Sequence, residues 1–152
     1  MIVEADGGSR GNPGPAGSGA VVRDGETGEL VAEQSVGLGE TTNNVAEYQG
    51  LISGLRAAQE NGATSAHVRM DSKLVVEQMS GRWKVKHANL QPLAREAAGL
   101  VRALGEVTFE LIPRKENSHA DRLANAAMDE QAGLGRPAEA PETGTDTGAE
   151  PR

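Results

Sequence analysis

Apolar positions open the chain at Ile2, Val3 and Ala5 and return at Ala20, Val21 and Val22. This predicts two strands, Ile2–Asp6 and Gly19–Arg23. The stretch between them, GGSRGNPGPAGS, is dense in glycine and proline and predicts a turn that leaves Asp6 at a strand end. Glu29–Gly37 alternates weakly through Leu30, Ala32 and Val36 behind the turn residues DGETG, so it forms a hairpin with the second strand. Residues 41–62 read as a helix: Thr41 to Asn44 supply caps, Val45, Tyr48, Leu51, Ile52 and Leu55 make an apolar stripe, and Gly62 ends it. Ala66–Met70 is a short buried strand, and Asp71–Met79 a helix capped by Asp71 or Ser72. Leu90–Leu104 is a helix, Val107–Pro113 the last strand and Ser118–Gln131 the last helix. Three antiparallel strands followed by βα units predict an α/β fold, a mixed sheet with helices on both faces.

The pattern stops near residue 132. The segment GLGRPAEAPETGTDTGAEPR has one large aliphatic residue, Leu134, and no aromatic. Such a composition cannot offset its ordering entropy, so 133–152 is expected to be a flexible tail or linker and 1–132 the folded domain. The 152 residues include no cysteine, which excludes a disulfide framework, a zinc–thiolate site and a cysteine nucleophile. No basic apolar leader opens the chain and no apolar run nears membrane-span length, so a soluble cytoplasmic protein without a membrane partner is expected. A formal charge of −7 argues mildly against nucleic acid as a partner. Against that, RWKVKH at 82–87 concentrates three cations, a histidine and the only tryptophan.

Four carboxylates fall at element ends: Asp6 after the first strand, Glu47 early in the long helix, Asp71 after AHVRM, and Asp121 in the first turn of the last helix. Each has an ordinary structural explanation. Asp71 could cap a helix, Glu47 favour the macrodipole, Asp121 pair with Arg122, and Asp6 serve the turn. Brought together, they would raise one another's pKa unless a hard divalent cation compensated them. Two such ions make the clamp used in phosphodiester cleavage.

The blocks DGGSRGNPGPAGSGAV, TTNNVAEYQGLISGL, MDSKLVVEQMSG and NSHADRLANAAM resemble, in order and spacing, the four signature blocks of type 1 ribonuclease H. The resemblance spans nearly all of residues 1–132. It implies a five-stranded mixed sheet and hydrolysis of the RNA strand of RNA–DNA hybrids with two Mg2+ ions, Mn2+ being the substitute. The products implied carry 5′-phosphate and 3′-hydroxyl ends. It assigns catalysis and metal binding to Asp6, Glu47, Asp71 and Asp121. Substrate contacts fall on Ser9 and Asn12 in the glycine-rich turn, on Asn43 and Asn44, and on Lys73, where many members carry glutamine. Glycines in that turn would let backbone approach the hybrid's minor groove.

Two features depart from the family pattern. Many members place a histidine in a loop before the last carboxylate, whereas PRKENSHAD offers only His119, and Arg114, Lys115 or Glu116 stand at the usual position. The basic protrusion that grips the DNA strand is shortened to SGRWKVKHANLQPL. There Trp83 either packs on a deoxyribose, with Lys84 and Lys86 on phosphates, or anchors the loop to the core. In actinobacteria such a domain commonly heads a bifunctional chain with a histidine-phosphatase domain, and 133–152 would suit the linker. A monomer is expected. The competing functions are a hybrid-binding module without turnover and another nuclease of the same superfold.

Overall fold

The computed structural model describes residues 1–134. Five strands, β1 (Ile2–Ser9), β2 (Gly14–Arg23), β3 (Leu30–Thr41), β4 (Ser65–Met70) and β5 (Glu106–Leu111), form one sheet in the order β3-β2-β1-β4-β5. The first three are antiparallel, and β4 and β5 add in parallel to β1. The helices are α1 (Asn43–Glu60), α2 (Lys73–Met79), α3 (Gln91–Leu104) and α4 (Ser118–Leu134). The expected five-stranded mixed sheet is therefore present. Gly133 and Leu134 close α4, and the rest of the segment read as a linker lies outside the described residues.

The first hairpin differs from its sequence reading. Its turn is confined to residues 10–13, and Asp6 lies inside β1, paired with Gly19, three residues short of the strand's end. The glycines belong to the strands because helices press against them. A Cβ on Gly7 would stand 2.1 Å from the Ala46 carbonyl oxygen of α1. On the other face, a Cβ on Gly17 would meet Ala127 Cβ at 2.5 Å, and one on Gly19 the Ala120 carbonyl oxygen at 2.4 Å. Small residues of α4 (Ala120, Ala124, Ala127) thus lie almost on the backbone of β2, which brings Asp121 down towards β1.

The α1 face carries the main core: Val3, Ala5, Val22, Tyr48, Leu51, Ile52, Leu55, Val68, Met70 and Val75 are buried together. Each large aliphatic side chain there contributes about 1.5–3 kcal/mol of transfer free energy. The stripe expected from residues 45–55 holds, with Tyr48 buried in it. β5 ends at Leu111, earlier than Pro113, and Pro113 leads into a 3-10 turn, Arg114–Glu116, that enters α4. Among the described residues no helix is long and apolar enough to cross a membrane.

Candidate active site

The parallel pairing of β1 with β4 sets Glu4 opposite Arg69, so Asp6 and Asp71, each two residues further along, arrive at the same end of the sheet. α1 brings Glu47 to that end and α4 brings Asp121. All four carboxylates line one cleft of about 310 Å3, together with Ser9, Arg10, Asn43, Arg114, Asn125 and Met128. The structural alternatives weaken accordingly. Ser72, not Asp71, caps α2, its hydroxyl accepting from the Val75 N–H at 3.3 Å. Glu47 is the fifth residue of α1, whose first turn holds no acid, so it is not a macrodipole residue. Asp121 does sit in the first turn of α4, and it faces Arg114 Nη2 at 3.7 Å.

Burial pushes the Asp6 carboxyl up to about 8, helped by the charge of Asp71 and by a side-chain hydrogen bond with Asp121. Burial pushes Glu47 up to about 7, against hydrogen bonds from Ser72 and Asn43 that favour its ionised form. The Ser72 hydroxyl donates to Glu47 Oε1 at 2.9 Å. Asn117, fully buried, donates through Nδ2 to Asp71 Oδ1 at 2.8 Å and to the Ala5 carbonyl at 2.9 Å. As placed, no three carboxylate or imidazole groups among the described residues stand close enough to hold one ion in common. The donor set is nonetheless all oxygen, the chemistry a hard divalent cation takes, and Asp6 ionises only with difficulty without such a partner.

The expected substrate residues divide. Ser9 and Asn43 line the cleft. Asn12 is a local tie, its Oδ1 accepting from the Asn43 backbone N–H at 3.0 Å, and Asn44 is half-buried beside Asn43 without lining the cleft. Trp83, Lys84 and Lys86 line a separate hollow of about 430 Å3 with Leu74, Gln78, Arg82 and His87. Trp83 is 44 % exposed, so it does not anchor the loop in the core. Lys73 Nζ lies 5.8 Å from the centre of its ring, joining the first residue of α2 to the basic loop. His119 is outside the cleft, its Nδ1 2.7 Å from Arg23 Nη2 and its Nε2 bonded to Glu33.

Sequence reasoning missed Asn117, Arg10, Asn125 and the second bond of Ser72. Ser72 carried a signal as a cap; nothing in the sequence marked the others. Arg10 is tied into the α4 wall through Asp129 at 2.6 Å and Asn125 Oδ1 at 3.3 Å.

A family model described as reverse transcriptase-like matches residues 4–127. A bifunctional protein of Mycobacterium tuberculosis, Rv2228c, is 57% identical over 132 residues, covering 87% of this chain and 36% of that protein. The solved N-terminal RNase H domain of the same mycobacterial protein superposes with a TM-score of 0.87 at 56% identity, covering 89% of this chain and 97% of that one. A ribonuclease H of Rhizobium meliloti is 34% identical over 145 residues, covering 84% of this chain and 89% of that enzyme. LC11-RNase H1, solved in complex with an RNA/DNA hybrid, gives a TM-score of 0.81 at 43% identity over 86% of this chain and 98% of that one.

Proposed function

The chain belongs to the type 1 ribonuclease H family and is a ribonuclease H, and we propose that it hydrolyses the RNA strand of RNA–DNA hybrids at the cleft of Asp6, Glu47, Asp71 and Asp121. The observation that carries this function is the meeting of those four carboxylates, drawn from two strands and two helices, in one cleft. Mg2+, with Mn2+ as substitute, would activate the attacking water and neutralise charge on the leaving oxygen. The protein's part is to hold the donors: Asn117 fixes Asp71, and Ser72 fixes Glu47.

Among the described residues no histidine lines the cleft, which fits attack by water on phosphorus with departure of the RNA 3′-oxygen. The products then carry 5′-phosphate and 3′-hydroxyl ends. The 2′-hydroxyls of the hybrid are read in its wide minor groove by Ser9 and Asn43, with Asn12 and Asn44 shaping that wall. Lys73, Trp83, Lys84 and Lys86 form a cationic and aromatic handle for the DNA strand, placing local positive charge on a protein of net charge −7. The domain works as a monomer in the cytoplasm. A further covalently linked domain, in this reading a phosphatase, is in keeping with the mycobacterial relative, which is bifunctional by name and of which this chain spans 36%.

An end-labelled hybrid incubated with Mg2+ or chelator, with the unmodified protein or Asp71→Asn, tests this function. Cleavage of the RNA strand alone, requiring both metal and Asp71, is expected. Equal hybrid binding by both proteins with no cleavage by either would make the domain a binding module instead.

A further inference from the structure

Below the four carboxylates lies a second tier of charge built on the same strands. Arg69 of β4 donates through Nη1 to Glu4 Oε2 at 3.0 Å, its register partner on β1. Through Nη2 it donates to Glu116 Oε1 at 3.2 Å, and through Nε to Glu110 Oε1 at 3.4 Å on β5. Glu110 is shared with His67 Nε2 at 2.8 Å, and Glu4 also faces Arg23 Nε at 3.9 Å.

Glu116 closes the turn Arg114–Glu116, and the residue after it is Asn117. Asn117 bonds both Asp71 and the Ala5 carbonyl. The first residue of the turn, Arg114, faces Asp121. Three chain segments are thus tied together twice, by Glu4–Arg69–Glu116 and, just beyond, by Asn117 to the Ala5 carbonyl of β1 and to the Asp71 carboxylate after β4. The Arg69 and Glu4 side chains are only 25% and 12% exposed, so solvent and salt screen their pairing less than a surface ion pair. A guanidinium reaches two carboxylates on separate segments because its donors form a rigid fork, which an ammonium lacks.

We propose that Arg69 is a positioning residue, which pins the turn Arg114–Glu116 to β1 and β4 and thereby aims Asn117 at Asp71. This rests on the proposed function for its effect on cleavage, and on geometry alone for its effect on Asn117. The test uses the full chain and the variants Arg69→Gln, Arg69→Lys, Glu116→Gln and the Arg69→Gln/Glu116→Gln double variant. Two readouts are taken: solvent exchange of the Asn117 side-chain amide protons by NMR in metal-free protein, and kcat and KM on a hybrid.

In Arg69→Gln and Glu116→Gln the Asn117 amide protons should exchange about tenfold faster. kcat should fall about tenfold, the scale of lost support behind a metal-binding residue, with KM changed by less than about twofold. Arg69→Lys, which keeps the charge but not the fork, should behave like Arg69→Gln. The double variant should be no worse than Arg69→Gln alone, because Glu116 acts through its contact with Arg69. Unchanged Asn117 exchange in a folded variant, additive losses, or a raised KM with kcat intact would each overturn the proposal. If Arg69→Gln does not fold, Glu116→Gln decides, since its side chain is 48% exposed. If the unmodified protein cuts no hybrid, the proposed function fails, while the Asn117 exchange still decides the positioning role.

Discussion

The Ser72 hydroxyl donates to Glu47 Oε1 at 2.9 Å while its oxygen accepts from the Val75 backbone N–H at 3.3 Å, so one hydroxyl caps α2 and holds a carboxylate of α1. Ser72→Ala should therefore do two separable things. Loss of the cap should lower stability by about 1 kcal/mol, read by urea unfolding. Loss of the donor should move Glu47 further above its present value of about 7, because that bond favours the ionised form. A carboxyl titration followed by NMR would show the shift, and Ser72→Thr, which keeps the hydroxyl, should show neither effect.

Asp6 sets a pH dependence whose sign is fixed by the direction of its shift. Folded, it titrates near 8 because of burial and its acidic neighbours; its ordinary value is 3.8. Between those values the folded protein holds a proton that the unfolded chain has released, so the contribution of this group to stability declines as pH rises. Metal-free protein should lose stability from about pH 4 to about pH 8 through this group. Asp6→Asn should flatten that slope and raise stability at pH 8 while abolishing cleavage. Thermal unfolding across pH in chelator decides it; an unchanged slope in the variant would place the shift elsewhere.

Gly17→Ala probes how closely α4 rests on the sheet. The added methyl would stand 2.5 Å from Ala127 Cβ and 2.7 Å from the Met128 backbone nitrogen, so the helix must move. Overpacking of this kind costs about 1–3 kcal/mol. Because α4 carries Asp121, cleavage by the folded fraction should also fall. Full activity per folded molecule would show that the displacement does not reach the cleft.

The order of elements and the four carboxylates were legible in the sequence because they follow short-range rules: apolar periodicity, capping residues within 41–44 and 71–72, and acids near the ends of strands and the starts of helices. The first hairpin misled for a physical reason. Glycine is read as a turn residue, but Gly7, Gly17 and Gly19 are glycine because α1 and α4 approach their backbones, a tertiary demand with no local signature. The residues that hold the site were equally hidden. Asn117 meets Asp71 across 46 positions of chain, and Arg69 meets Glu4 across 65. Nothing in the identity of an asparagine or an arginine announces such partners.

Lys73 lies beside Trp83 at the edge of the basic loop and does not line the carboxylate cleft, so its charge should serve phosphate contact. Lys73→Ala, measured with Asp71→Asn as the non-cleaving background, should flatten the dependence of log K on log salt by about one unit. The weakening should be similar for hybrids of different sequence. An unchanged slope would mean that Lys73 stabilises only the Trp83 ring.

His119 is the chain's nearest histidine to the last carboxylate, yet its hydrogen bonds point to the sheet. An arginine can only donate, so Nδ1, 2.7 Å from Arg23 Nη2, must accept, and Nε2 must carry the hydrogen that goes to Glu33. Both ring nitrogens are thereby committed to residues of β2 and β3, and Arg114 stands at the cleft in place of a histidine. His119→Ala should cost about 1 kcal/mol of stability through lost hydrogen bonds. It should leave kcat on a hybrid within about twofold of the unmodified protein and the shape of the pH–rate profile unchanged. Loss of an alkaline or acidic limb in that profile would instead bring His119 into the chemistry, and would require the Arg23 and Glu33 contacts to open during turnover.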